Sequence, residues 1–274
     1  MIGVLLASIP SPPVNDFHIG PLRVTFYGIL VMAGVVVAWL ITRNRFVARG
    51  GDAVLAERII IRVVIWGFVG ARLAYISTHL DRFADEWWKV IAIWEGGIAI
   101  YGGLTAGAIA LVYYARKWGA SLPDLLDSVA PAVPAAQAIG RWGNYFNQEL
   151  FGTPTDLPWG LEIDPQNRPA AFPDAETFHP TFLYESILNV ILVFVIIWVG
   201  NRFPSMRGRL IGVYFVGYGV IRFLMELIRT DTTFRFIGLS RNGWVSIAVI
   251  ILGLLVLFWK RVKVEDDHYV LVKG

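Results

Sequence analysis

The sequence predicts an all-α integral membrane protein with about seven transmembrane helices and an extracytoplasmic cap segment. Of the 274 residues, 56% are hydrophobic and only 16% are charged, and the mean hydropathy is +0.58. A soluble globular domain carries about a quarter charged residues, so this chain lacks the polar side chains to cover a surface in water. The apolar residues also fall in blocks close to the ~20 residues that a helix needs to cross the hydrocarbon core.

Seven apolar stretches predict the spans. They cover residues 24–42, 59–78, 91–114, 125–139, 182–199, 210–228 and 242–259. The fourth is short and contains Pro131 and Pro134, which free helical carbonyls by lacking amide protons. It is therefore expected to be a broken or interior helix. No soluble domain of useful size separates the stretches, so residues 1–274 are expected to form a single integral-membrane domain.

The distribution of Lys and Arg predicts the orientation. With the N-terminus outside, the inner loops carry 13 Lys and Arg residues and the outer segments carry 7. The positive-inside rule then favours an outer N-terminus and a cytoplasmic C-terminus. The longest polar connection, about residues 140–180, falls outside, and its prolines exclude a long helix. A loop of this length is usually functional or a linker, so it is predicted to cap a site.

Composition also narrows the classes of function. A net charge of +3 is too small to suggest nucleic-acid binding. Because the chain has no cysteine, disulfides, thiolate metal sites and a cysteine nucleophile of its own are excluded. The four scattered histidines show no metal-binding spacing, and no nucleotide-binding fingerprint occurs. Neither a metal nor a cofactor is predicted, and any thiol chemistry must come from a substrate.

The most informative stretch is residues 140–152, which read GRWGNYFNQELFG. It combines a guanidinium, amides and a carboxylate with glycines and aromatic residues, directly after the fourth span. Arginine presents a planar donor fork that suits a phosphate, asparagine can hold a phosphate or glyceryl oxygen, and glycine lets the backbone approach a ligand. The alternative is a juxtamembrane anchor, in which the aromatic residues form an interfacial belt and Arg141 extends to the interface.

A second candidate lies within the sixth span. Tyr218, Arg222, Glu226 and Arg229 share one helical face. Ionisable groups inside a span cost at least ~2.5 to 3.5 kcal/mol each and normally face a protein interior. One interpretation is an ion pair of Arg222 with Glu226 that locks helix packing. The other is that Arg222 offers spare donors to an anionic headgroup while Glu226 orients it.

Three further features are weaker signals. Arg72 follows Gly70-Ala71 in the second span, and structural pairing is as good an interpretation as a functional role. Tyr101, Gly102 and Gly103 lie in a glycine-rich part of the third span, where either close helix packing or a substrate-lining segment is possible. His179 ends the long outer loop, and a single histidine at a helix start is more often a cap or hydrogen-bond partner than a base.

Residues 140–152 match the pattern GRxGNxxNxExxG at all seven fixed positions, and this pattern resembles the signature of the bacterial prolipoprotein diacylglyceryl transferase family. The resemblance covers nearly the whole chain. It includes Tyr27-Gly28, Gly70 to Arg72, the Gly-Gly pairs of the third span, Asp127, His179-Pro180, Leu183-Tyr184-Glu185, Tyr218-Gly219, Arg222-Phe223 and Glu226.

The resemblance implies a seven-span enzyme of the bacterial cytoplasmic membrane that needs no cofactor. Such an enzyme transfers the diacylglyceryl group of phosphatidylglycerol to the lipobox cysteine thiol of a preprolipoprotein, forming a thioether and releasing glycerol phosphate. The family's functional residues carry over onto Tyr27, Arg141, Asn144, Glu149, Gly152, Arg222 and Glu226. From the resemblance and the local patterns together, we expect Arg141, Arg222, Glu226 and Tyr101 to be catalytic. The expected substrate-binding residues are Tyr27, Arg72, Asn144, Asn147, Glu149, Gly152, His179, Gly102 and Gly103.

This sequence departs from the family at one position. Many members have histidine where this chain has Tyr101, and a phenol with a pKa of ~10 is mostly protonated at neutral pH. The group that accepts the thiol proton therefore stays open among Tyr101, His179 and the leaving phosphate. A further alternative is that a nearby arginine lowers the pKa of the thiol itself. Two rival functions also stay open: a transporter or flippase for an anionic lipid or solute, and another phospholipid-headgroup enzyme.

Overall fold

A computed structural model describes residues 8–20, 22–83, 86–92, 96–229, 235–258, 261–263 and 269–271. This part of the chain is mostly helical. Its seven α-helices are α1 (Phe26–Ala48), α2 (Ala53–Thr78), α3 (Ile100–Lys117), α4 (Leu122–Phe146), α5 (Thr181–Arg202), α6 (Leu210–Glu226) and α7 (Arg241–Phe258). Four of them, α1, α2, α5 and α7, are long and apolar enough to cross a membrane. A mostly helical, multi-pass membrane protein is therefore confirmed, and the count of seven spans stays a prediction.

Each predicted span overlaps one helix, but the ends differ. Helix α2 begins earlier than predicted because Asp52 caps it, accepting a 2.7 Å hydrogen bond from the amide of Leu55. Helix α3 begins at Ile100 rather than residue 91, since Trp87–Ile91 forms a 3₁₀ turn instead.

Helix α4 runs unbroken through both prolines. Pro131 and Pro134 are buried, so the interior alternative is confirmed and the broken one is wrong. The helix continues to Phe146, and residues 140–146 therefore form its last turns instead of the beginning of the predicted loop. Neighbouring protein, rather than lipid, surrounds the two positions where proline removes an amide donor.

The chain forms two compact units, which are described separately: residues 42–128, and residues 1–41 together with 129–274. In the 42–128 unit, glycines let α2 and α3 approach closely. A Cβ added to Gly70 would lie 2.7 Å from the carbonyl oxygen of Gly102, and one added to Gly102 would lie 2.5 Å from that of Gly70. The predicted close packing of the third span is therefore present.

In the other unit, α6 and α7 meet in the same way. A Cβ added to Gly212 would lie 2.9 Å from the carbonyl oxygen of Gly253, and one added to Gly219 would lie 2.9 Å from that of Ser246. Helix α6 also packs on α5, where Gly217 faces the side chain of Leu192. These close approaches fix α6, which carries the second candidate site.

Short antiparallel hairpins add strands that the sequence analysis did not predict. They pair β1 (Asp16–Ile19) with β2 (Leu22–Thr25), β3 (Leu161–Glu162) with β4 (Thr177–Phe178), β5 (Arg235–Phe236) with β6 (Leu239–Ser240), and β7 (Arg261–Lys263) with β8 (Tyr269–Leu271). The β3–β4 hairpin belongs to the connection between α4 and α5, which has its own hydrophobic cluster. The members of this cluster are Phe151, Leu161, Ile163, Phe178 and Phe182.

Candidate functional site

The predicted signature is built from the end of α4 and a tight turn. Arg141 and Asn144 lie one helical turn apart. After the helix ends, Gln148 and Leu150 adopt φ angles of +50° and +58°, a left-handed conformation that non-glycine residues rarely take. These two residues bracket Glu149, whose amide donates a 3.1 Å hydrogen bond to the carbonyl of Asn144. The turn therefore returns Glu149 to the helix that carries Arg141.

The side chains of this turn form one hydrogen-bonded cluster. Oε1 of Glu149 accepts from Nδ2 of Asn144 at 2.9 Å and from Nδ2 of Asn147 at 3.1 Å. Oδ1 of Asn144 in turn accepts from Nη1 of Arg141 at 3.3 Å. Four of the predicted site residues thus lie together, and the amide of Asn144 links the carboxylate to the guanidinium. The cluster restrains Arg141 in one orientation.

Glu185 forms an ion pair with Arg141, a role that was not predicted from the sequence. Nη2 of Arg141 lies 2.5 Å from Oε2 of Glu185, which is only 2% exposed on α5. A carboxylate within an apolar span that is this deeply buried needs a cationic partner. Its position could have identified Glu185 from the sequence, since it is a carboxylate at the fourth residue of a predicted apolar span.

Tyr27 packs against the signature helix at a position where only glycine fits. A Cβ added to Gly143 would lie 2.4 Å from Cδ2 of Tyr27. One residue earlier on α1, the ring of Phe26 stacks on that of Phe146, with centroids 4.7 Å apart. The start of α1 therefore lines the same end of α4 as Arg141 and Asn144.

Gly152 ties the signature turn to the segment before α5 and to the segment after α6. Its amide donates to the carbonyl of His179 at 2.9 Å, and the amide of Thr153 donates to that of Ile228 at 2.8 Å. A Cβ on Gly152 would lie 2.7 Å from that of His179 and 2.9 Å from the Ile228 oxygen. Any side chain here would push the turn away from the end of α6, so the structure explains why glycine occupies this position.

His179 is half-buried and engaged in a hydrogen-bonded chain. Its Nδ1 lies 3.3 Å from the hydroxyl of Tyr184, and that hydroxyl accepts from Nε1 of Trp159 at 2.9 Å. This geometry agrees with the interpretation of His179 as a hydrogen-bond partner at the start of α5. Its role in substrate binding stays a prediction.

The second candidate site lies at the end of α6. Nη2 of Arg222 approaches Oε2 of Glu226 at 3.1 Å, as an ion pair without the alignment of a hydrogen bond. The side chains of Arg222 and Glu226 are 14% and 6% exposed. Within the part of the chain that the structure describes, Nη1 of Arg222 is buried and has no hydrogen-bond partner. Oε1 of Glu226 accepts from the hydroxyl of Ser240 at 2.5 Å, a contact that the sequence analysis missed.

In the 42–128 unit, the hydrogen bonds of Arg72 all go to backbone, and its guanidinium also lies over the rings of Tyr75 and Phe83. Its guanidinium donates to five carbonyls of the segment that follows α2, so each of its five N–H donors has an acceptor. The acceptors are the carbonyl oxygens of Lys89, Val90, Ala92, Gly96 and Gly97. This arrangement favours the structural interpretation of Arg72, and a role in substrate binding stays a prediction.

The other predicted residues of this unit lie at the start of α3. Tyr101 is 63% exposed. Gly102 and Gly103 both face α2, and a Cβ added to Gly103 would lie 3.2 Å from the Gly67 carbonyl oxygen. Their packing role is therefore visible, and contact with a substrate stays a prediction. Among the residues that the structure describes, no group of acidic or histidine side chains could hold a metal ion.

A family model described as prolipoprotein diacylglyceryl transferase matches residues 15–259 of the chain. The phosphatidylglycerol–prolipoprotein diacylglyceryl transferase 2 of Streptomyces coelicolor is 42% identical over 247 residues, which cover 89% of this chain and 78% of that protein. The phosphatidylglycerol–prolipoprotein diacylglyceryl transferase of Cutibacterium acnes is 39% identical over 267 residues, covering 95% and 90%. The protein of the same name from Leifsonia xyli is 41% identical over 268 residues, covering 92% and 80%.

Proposed function

The chain belongs to the prolipoprotein diacylglyceryl transferase family, and we propose that it transfers the diacylglyceryl group of phosphatidylglycerol to the lipobox cysteine thiol of a preprolipoprotein. The family expected from residues 140–152 is thereby confirmed. The relatives are named for the same two substrates. They give no support to the transporter or flippase alternative.

The proposed reaction is a displacement at a glyceryl carbon. The thiol sulfur forms a bond to the carbon that carries the phosphate, and the bond from that carbon to the phosphate oxygen breaks with its electron pair moving to the oxygen. The thiol proton leaves with a base, and the products are the thioether and glycerol phosphate. The barrier falls when fixed cations neutralise the negative charge that builds on the leaving phosphate.

Arg222 is the residue whose contacts carry this proposal. An arginine nitrogen that is buried without a partner is costly to leave unpaired, and Nη1 of Arg222 is such an atom among the described residues. A lipid phosphate supplies the acceptor that this nitrogen lacks. Arg141 supplies the second cation, oriented by Asn144 and by Glu185 at 2.5 Å. We propose that both arginines grip one phosphate.

The remaining site residues receive supporting roles in the proposal. Asn144, Asn147 and Glu149 bind the headgroup side of the lipid. Tyr27 lines the C-terminal end of α4, and Gly152 and His179 lie just before the start of α5. Within the 42–128 unit, Tyr101 acts by hydrogen bonding to lipid, Gly102 and Gly103 leave room at the start of α3, and Arg72 holds the segment that follows α2.

A reconstituted assay tests the function directly. Purified protein in vesicles that contain phosphatidylglycerol should add a diacylglyceryl mass to a lipobox peptide. The same peptide with serine in place of cysteine should stay unmodified, and vesicles of phosphatidylethanolamine alone should give no product. A protein that moves phosphatidylglycerol between leaflets but leaves the cysteine peptide unmodified would support the transporter alternative.

We also propose seven spans, an outer N-terminus, a cytoplasmic C-terminus and an extracytoplasmic position for residues 147–180. The absence of cysteine makes this topology simple to test, since a single introduced cysteine is the only thiol. Asp164→Cys should react with a membrane-impermeant maleimide in intact cells, whereas Lys117→Cys should react only after the membrane is opened. The reverse pattern would overturn the orientation.

A further inference from the structure

Ser240 stands between the start of α7 and the carboxylate that faces Arg222. It is the last residue of β6, it is 5% exposed, and its hydroxyl donates to Oε1 of Glu226 at 2.5 Å. The Ser240 oxygen also accepts from the amide of Gly243 at 3.0 Å. Ser240 is therefore the N-cap of α7.

The cap fixes the direction of the Ser240 proton. Because the amide of Gly243 occupies a lone pair of the hydroxyl oxygen, the O–H is free to point away from the helix, and Glu226 lies in that direction. The N-terminus of an α-helix also carries a partial positive charge that stabilises a nearby carboxylate. Helix α7 thus holds one oxygen of Glu226 through a single side chain.

This restraint has a consequence for Arg222. With Oε1 of Glu226 bound to Ser240, only Oε2 faces the guanidinium, at 3.1 Å from Nη2. A carboxylate that is free to rotate binds both terminal nitrogens of an arginine in the bidentate geometry that these groups prefer. Such a pair would occupy Nη1 of Arg222, the nitrogen that has no partner among the described residues.

We infer that Ser240 is a positioning residue that keeps Glu226 from closing on Arg222 and so leaves Nη1 of Arg222 open to the lipid phosphate. The inference rests on the proposed function, in which Arg222 binds that phosphate. It assigns Ser240 to the positioning of Arg222 and not to direct contact with the substrate. Loss of the hydroxyl should therefore raise the KM for phosphatidylglycerol and also lower kcat, because Nη1 of Arg222 contacts the phosphate both when the lipid binds and as the phosphate leaves.

The test compares Ser240→Ala with Ser240→Thr in phosphatidylglycerol vesicles of graded lipid content. Ser240→Ala should raise KM about tenfold, and Ser240→Thr, which keeps a hydroxyl, should restore it. Ser246→Ala is the matched control, because Ser246 is a buried serine of the same helix whose hydroxyl donates to the carbonyl of Asn242 instead. If Ser240→Ala does not yield folded protein, Ser240→Gly, which starts a helix nearly as well as serine, carries the same test.

A double-substitution experiment separates positioning from helix capping. Stabilisation of the purified protein by added phosphatidylglycerol is measured for Ser240→Ala alone and in a Glu226→Ala background. If Ser240 acts through Glu226, its substitution should weaken lipid binding only where Glu226 is present. An equal loss in both backgrounds, or an unchanged KM in Ser240→Ala, would overturn the inference. Failure of the unsubstituted protein to lipidate the peptide would instead overturn the proposed function.

Discussion

Arg72 and Arg222 are arginines with little exposure in helices of a mostly apolar chain, yet their surroundings differ. All five donors of Arg72 meet backbone carbonyls, whereas Arg222 has one ion pair and one buried nitrogen without a partner among the described residues. The contrast teaches that burial of a charge does not by itself indicate a ligand site. The number of donors that the fold leaves unsatisfied is the better indicator.

Substitution of Arg222 should have the largest effect on lipidation. Arg222→Lys should lower kcat/KM at least ~100-fold, because a point charge does not replace a planar donor fork in stabilising the leaving phosphate. The thermal midpoint should change little. Arg202→Lys, an exposed arginine at the end of α5, is the control and should keep full activity. An Arg222→Lys protein with near-normal kcat/KM would remove Arg222 from the phosphate site.

Arg72 should show the opposite division between stability and activity. Arg72→Met should lower the free energy of unfolding by about 3 kcal/mol, since several charge-assisted hydrogen bonds to carbonyls are lost together. Lipidation per folded molecule should stay within a few-fold of the unsubstituted protein. Thermal unfolding in detergent, monitored beside the vesicle assay, measures both quantities. Normal unfolding with abolished lipidation would instead show that Arg72 contacts the substrate.

Substitution of Tyr101 should have a smaller effect on the rate of lipidation. If its phenol only donates a hydrogen bond to lipid, Tyr101→Phe should cost ~0.5 to 1.5 kcal/mol of transition-state stabilisation, and Tyr101→His should stay active. An obligatory base would instead contribute ~100- to 10,000-fold. Lipidation rates across a pH series decide between these roles. A titration limb that disappears in Tyr101→Phe would identify the phenol as the base.

Asp164 lies outside the helices, and both of its carboxylate oxygens accept hydrogen bonds. Its substitution should have the smallest effect, a slight change in thermal stability. Hydrogen bonds from the side chains of Gln148, at 2.6 Å, and Ser11, at 2.8 Å, lower the pKa of its carboxyl below the ordinary value. A lowered carboxyl pKa adds stability above the unfolded-state pKa of ~4, and this stability is lost as the pH falls through the folded-state value.

Asp164→Asn should therefore lower the thermal midpoint slightly at pH 7. The difference from the unsubstituted protein should stay constant down to pH ~4 and shrink below it. Midpoints measured from pH 7 to pH 3 for both proteins test this sign. A difference that grows in acid would mean that the hydrogen bonds of Asp164 favour its protonated form. Lipidation at pH 7 should be unaffected.

Patterns that are local in the sequence predicted most of what the structure brings together. Arg141, Asn144 and Glu149 lie on one helix end and one tight turn, so their clustering follows from their spacing. Arg222 and Glu226 are one helical turn apart, and their pairing follows in the same way. The apolar blocks likewise predicted where the helices lie, because hydropathy reports burial in lipid or protein.

Contacts between distant segments could not be read from spacing. Glu185 reaches Arg141 from another helix, and Ser240 reaches Glu226 across a connecting hairpin. Helix ends were also missed where capping or 3₁₀ turns decide them, as at Asp52 and Trp87–Ile91. The course of α4 through Pro131 and Pro134 depends on neighbours that fill its surroundings, which the local sequence does not specify.

The five hydrogen bonds of Arg72 to backbone carbonyls also bear on how the chain is synthesised and inserted. Its furthest acceptor, the carbonyl of Gly97, follows it by 25 residues. At a synthesis rate of about 5 to 20 residues per second, the ribosome delivers that acceptor roughly one to five seconds after the arginine. During this interval the guanidinium has to stay in water or find temporary partners in the translocation machinery. We therefore expect α2 to reach its final position in the bilayer together with the segment that follows it.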